Sequence, residues 1–202
     1  MRSLLIISFI ILLASCKKND QPLPIFGERE FNGKDTTYHT IAPFAFIDQD
    51  GALITNDTFA DKIYVADFFF TTCRTICPIM KSQMKRVYDA TANDPDVLIL
   101  SHTIDPEYDT VELLNNYAKM LEVTSDRWHF VTGERDSIYK AAQTSYFVTA
   151  REDRTEADGF IHSGAFLLVD KKQRIRGKYD GTREADVDRL LNDIKKLRSE
   201  GE

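Results

Sequence analysis

The chain has 202 residues, 43% of them hydrophobic and 29% charged, and a formal net charge of −6. That length suits one domain with appendages, and the hydrophobic share supplies one core. The charged fraction argues against a polytopic membrane protein, and without a dense basic run the sequence offers no nucleic-acid footprint.

Residues 1–3 give a short positive start, and residues 4–14 are apolar except for Ser8. Eleven residues rise only about 16 Å as a helix, too short for a hydrocarbon core of about 30 Å. This is the pattern of a signal-peptide core rather than of a membrane span. It ends in Leu13-Ala14-Ser15-Cys16, which resembles the bacterial lipobox, so Cys16 is expected to carry lipid and to begin the mature chain. The expectation is a signal peptide over 1–15 and a lipidated, flexible tether over 16–37, followed by one domain over 38–202. The tether span is polar, holds Pro22, Pro24, Gly27 and Gly33, and shows no periodicity. The protein would then stand outside the cytoplasm, anchored to a membrane.

The globular pattern starts at Ile41. Residues 41–47 and 52–55 flank Asp50-Gly51 and read as a hairpin. Residues 62–70 (KIYVADFFF) read as a central strand covered on both faces. Residues 78–91 read as a helix and 97–104 as a strand. Asp109, with Glu112 three residues on, predicts a capped helix start, followed by apolar residues at helical spacing to Leu121. Residues 128–131 read as a strand and 137–146 as a helix. Residues 164–169 and 174–178 read as a late hairpin, and 183–198 as a closing helix with an apolar stripe. Alternating strands and helices imply a crossover sheet. The fold class is therefore α/β, a thioredoxin-like fold with an N-terminal β-hairpin extension and an extra late β-hairpin.

Thr71-Thr72-Cys73-Arg74-Thr75-Ile76-Cys77-Pro78 joins the central strand to a helix. On helical geometry the two cysteines lie one turn apart on one face, so both sulfurs address one ion. A helix N-terminus and Arg74 favour thiolate, and thiolates select soft metals such as Cu(I). A structural disulfide, inert buried thiols and a dithiol/disulfide exchange pair compete with the metal reading, the exchange pair being the serious rival. Of four histidines, His39, His102 and His129 read as surface or core residues. His162 leads straight into the penultimate strand, and in a thioredoxin topology that segment faces the cysteine loop. Two thiolates and one imidazole would make a low-coordinate copper site.

Taken together, these segments resemble the Sco/SenC family of copper-handling, thioredoxin-like proteins. The resemblance rests on Cys73-x-x-x-Cys77-Pro78 after Phe68-Phe69-Phe70-Thr71, on Asp105-Pro106-Glu107-Tyr108-Asp109-Thr110, on Trp128-His129-Phe130-Val131-Thr132-Gly133, and on His162-Ser163. It implies a copper ion, Cu(I) or Cu(II), held by Cys73, Cys77 and His162. It also implies a role in maturing the dinuclear copper centre of cytochrome c oxidase. The partner would be the oxidase's copper-bearing subunit or another copper carrier. Some relatives are mainly thiol-disulfide enzymes, so a redox role of Cys73 and Cys77 toward partner cysteines is the alternative. Three positions depart from the family pattern: Arg74 stands for a proline, Ile161 for an acidic residue, and His102 for an apolar one.

Overall fold

A computed structural model describes residues 21–152 and 160–200; for residues 152 and 160–162 it describes the backbone. The strands are β1 (Arg29–Phe31), β2 (Thr36–Tyr38), β3 (Ala45–Asp48), β4 (Leu53–Thr55), β5 (Ile63–Phe69), β6 (Val97–Thr103), β7 (Trp128–Thr132), β8 (Ala150–Glu152), β9 (Phe160–His162), β10 (Ala165–Val169) and β11 (Ile175–Asp180). The helices are α1 (Cys77–Ala90), α2 (Val111–Met120), α3 (Arg135–Lys140) and α4 (Glu184–Ser199).

The main sheet has the order β11-β10-β5-β6-β7-β3-β4. β5, β6 and β7 run parallel, joined in turn by the crossover helices α1 and α2, while β10, β11, β3 and β4 are added antiparallel at the two sides. Every residue of β5 and β6 is buried, as in a doubly covered parallel sheet, including the polar Asp67, Ser101, His102 and Thr103. On one face, Phe69 and Phe130 pack with Tyr117 of α2, and Lys81 of α1 lies over Phe69. On the other, Phe68 stacks on His102, and both meet Tyr146. Gly51 takes φ +77°, the left-handed value that the β3–β4 turn needs and that glycine adopts without strain.

The expected fold class is the observed one, with local differences. The helix expected over 137–146 is α3 followed by a π-helical turn, Ala141–Ser145. Asp109 does not cap α2. Thr110 does, accepting from the backbone of Leu113 at 3.2 Å, because Asp109 is drawn inward by partners distant in sequence.

Part of the span expected to be tether is held to the domain. β1 and β2 form a small hairpin there. Before it, residues 23–26 lie along β11. The buried guanidinium of Arg176 donates to the carbonyls of Leu23 (2.7 Å) and Pro24 (3.1 Å) and to Glu200 (2.5 Å). Leu23 donates its N–H to the same Glu200 carboxylate, and Phe26 bonds the Ile175 carbonyl. A buried cation with every partner fixed makes a firm bolt. Cys16 lies outside the described residues. Among those described, no helix is long and apolar enough to cross a membrane.

Candidate metal centre at the end of the central strand

β5 delivers the chain to a tight loop, residues 70–76, that opens into α1. Asp109 pins its start. The Asp109 carboxylate is fully buried and accepts from the Thr71 N–H (3.1 Å), the Thr71 hydroxyl and the Thr103 hydroxyl (2.5 Å). Burial pushes this carboxyl above its ordinary pKa, and the threonine donors partly offset the rise.

Cys73 and Cys77 are both buried thiols and are not joined in a disulfide. The expected one-turn helical pairing is not how they meet. α1 begins at Cys77, and Cys73 sits in the loop before it with its sulfur over the helix start, accepting from the Cys77 N–H at 3.4 Å. The same sulfur lies 3.6 Å from the Thr75 hydroxyl oxygen. Pro78 follows at N2, in the first turn, where a missing N–H costs nothing. The hydrogen bond between the two cysteine side chains, then burial, holds the Cys77 thiol well above its usual pKa. The Phe70 backbone and Lys81 oppose that rise without cancelling it. The neighbouring sulfur and burial thus oppose the thiolate expected from the helix terminus alone, and a cation binding there would have to displace the Cys77 proton.

Cys73 forms part of the wall of a cavity of about 610 Å³ that also touches Thr71, Lys81, Tyr117 and Met120. A second cavity of about 420 Å³ is lined by Ile76, Ser163, Gly164, Tyr179 and Thr182. The cysteine loop contributes to both walls, through Cys73 in the first and Ile76 in the second.

His162 closes β9, which pairs antiparallel with β8 so that His162 stands opposite Ala150. Its imidazole lies outside the described residues. The chain that follows it is placed: Ser163 bonds the Thr149 carbonyl, and a Cβ on Gly164 would lie 3.6 Å from the Ile76 side chain. Ile76 is the residue before Cys77, so the backbone two residues past His162 abuts the cysteine loop. Among the described residues no three potential metal-binding side chains converge.

The other histidines are engaged elsewhere. His39 bonds the Ser145 carbonyl (2.8 Å) and packs on Phe147; His129 bonds Asp48 (3.0 Å). His102 is fully buried among Phe46, Phe68 and Tyr146, and its Nε2 has no hydrogen-bond partner among the described residues. Burial lowers its pKa to about 4, so it is neutral.

Sequence reading missed one feature beneath the loop. Lys81, one turn past Cys77, is 2% exposed and pairs with the fully buried Asp67 at 2.7 Å. Ser101 donates to Asp67 and accepts from Lys81 (3.1 Å) and from the Trp128 indole (2.9 Å). The signal was present: a carboxylate inside the run KIYVADFFF needs a buried cation.

With that geometry in hand, comparison with known proteins is decisive. The family model SCO1/SenC matches residues 32–199. The chain belongs to the SCO1/SenC family. It is 32% identical to the SCO1 protein homolog of Bacillus subtilis (strain 168), over 80% of this chain and 84% of that protein. The solved structure of BsSco, described as a Sco-family cytochrome c oxidase assembly protein with a disulfide switch, has a TM-score of 0.70 at 30% identity. That match covers 79% of this chain and 93% of the other. Arabidopsis thaliana ScoI with copper bound has a TM-score of 0.65 at 27% identity, covering 78% and 98%.

Proposed function

We propose that the protein binds a copper ion through the sulfurs of Cys73 and Cys77 and the imidazole of His162. We propose further that it uses this copper to help mature the dinuclear copper centre of cytochrome c oxidase. The observation that carries the reading is the loop itself: two thiols meet at one helix start, and the chain just past His162 packs against the residue between them. Thiolates with an imidazole suit copper in either of its common oxidation states, whereas hard cations need oxygen donors. The copper-bound Arabidopsis relative and the oxidase-assembly description of BsSco support the same chemistry. Few ligands on a loop flanked by two cavities leave room for a partner's ligands to enter, so transfer by exchange is feasible. The partner is the oxidase's copper-bearing subunit or another copper carrier. Cys16, lipidated after removal of residues 1–15, would hold the protein on the extracytoplasmic side of a membrane.

Anaerobic titration of the full-length chain in detergent with Cu(I) tests the reading, with one ion per chain as the expected result. Cys73→Ser and Cys77→Ser should abolish stoichiometric binding. His162→Ala should weaken it and alter the thiolate-to-Cu(II) absorption. An unchanged spectrum in His162→Ala would remove the third ligand. For the anchor, Cys16→Ser should release the protein from the membrane fraction.

A second reading, a thiol-disulfide reductase acting on partner cysteines, is favoured by the direct contact between the Cys73 sulfur and the Cys77 backbone. Oxidation to a disulfide would remove both sulfur ligands, so redox state and metal loading are coupled in either reading. Turnover on a partner disulfide in the presence of a copper chelator, unaffected by His162→Ala, would select the reductase.

A further inference from the structure

Two thiolates holding Cu(I) carry a net charge of −1 in a buried loop, and that charge must be answered from nearby. The described charges around the Cys73 cavity divide into two kinds. Lys85 and Arg86 stand at its rim, half-buried, and are paired with the exposed Asp89 and Asp188. Solvent screens such charges heavily. Lys81 lines the same cavity but is buried, one turn along α1 from Cys77. Its ammonium is held by Asp67, Ser101 and the ring of Phe69, whose centroid lies 3.9 Å away.

We propose that Lys81 and Asp67 set the copper affinity of the cysteine loop with opposite signs, Lys81 as the counter-charge to the metal-thiolate unit and Asp67 as the carboxylate that attenuates it. The inference rests on the copper reading above. Neither residue touches the ion. Both are positioning residues that act through the field at Cys73 and Cys77. A buried pair is suited to this because its field passes through side chains rather than water. The register supports the assignment. Asp67 pairs across the sheet with Ser101, which ties the carboxylate to β6, while Lys81 rides on the helix that begins at Cys77. The two charges thus sit on the two elements that the cysteine loop connects.

The test is a Cu(I) competition titration against a chromophoric chelator, with wild type, Lys81→Met, Asp67→Asn and the double variant in parallel. Lys81→Met should bind Cu(I) about tenfold more weakly and Asp67→Asn about tenfold more tightly, with the double variant within about threefold of wild type. Lys85→Met, which removes a half-buried rim cation already paired with the exposed Asp89, should change affinity less than twofold. A residue with a purely structural part would weaken binding in both single variants, so equal signs, or no change in either, would overturn the inference. Circular dichroism and thermal melts identify a variant that fails to fold. The remaining single variant against the double still reads one sign. A wild-type chain that takes up no Cu(I) would defeat the copper reading itself, whereas tight binding insensitive to both charges would defeat only this one.

Discussion

The protein buries a cation against carboxylates at both ends of its sheet, and the two arrangements differ in what surrounds them. At the pole near the β10–β11 turn, Arg176 spends its donors on Asp170, Glu200 and two backbone carbonyls of residues 23 and 24. Burial pushes the Asp170 carboxyl up, but Arg174 and Arg176 outweigh it and hold it below its ordinary pKa. At the cysteine pole, Lys81 meets one carboxylate, one hydroxyl and an aromatic face, and it borders a cavity shared with Cys73. The planar, five-donor guanidinium ties segments together; the compact ammonium leaves part of its field unspent. The same buried-charge chemistry therefore fastens the chain at one end and biases a reactive loop at the other.

The comparison can be broken most visibly at Lys81. Lys81→Met strands the Asp67 carboxylate in the core and should cost about 4 kcal/mol in urea unfolding, while the double variant with Asp67→Asn should recover most of it. Recovery below half would mean that the pair is held by more than its charge.

Beside the Asp67–Lys81 pair, His102 bonds the Asp67 carbonyl through Nδ1 (3.3 Å), and desolvation rather than either charge dominates its titration. Its folded pKa of about 4 lies below the unfolded value near 6.5, so only the unfolded state takes up a proton in that window. Its contribution is present above pH 6.5 and is lost as pH falls toward 4, amounting to roughly 3 kcal/mol. Replacing His102 with Leu should flatten that part of the stability–pH curve relative to wild type, at little cost at pH 7, because one ring nitrogen is already unsatisfied.

Arg176→Met should be milder, about 2 kcal/mol, since Asp170 keeps Arg174 and Glu200 is partly exposed. Its sharper signature is faster proteolysis within residues 21–31. Unchanged protection there would separate the guanidinium from the docking of the segment. Smallest is Thr110→Ala, which removes the α2 cap at about 1 kcal/mol and should leave copper uptake unaltered.

Much of this architecture was legible because burial writes periodicity into the chain. The run over β5, the stripe of Val187, Leu190, Ile194 and Leu197 on α4, and the Asp50-Gly51 turn each carry their own signal. β1 and β2 carry none: all six of their residues are exposed, so no face is patterned. Local spacing also misassigned Asp109, whose true partners, Thr71 and Thr103, belong to other elements. The cysteine spacing brought two thiols together, as the structure has them, yet suggested a helical face where the chain instead loops over the helix start. His102, which stands where the family has an apolar residue, is a neutral aromatic plate within the core.

For the lipid anchor proposed at Cys16, the docking of Leu23 would set the reach. Leu23 is seven positions past Cys16, at most about 25 Å of fully extended chain, against about 80 Å for the 22 positions from Cys16 to Tyr38. Any pull through a lipid at Cys16 would enter beside Arg176, at the end of the sheet remote from Cys73. The thiols would ride on the outward side of the body, as a lamp rides at the far end of a short bracket.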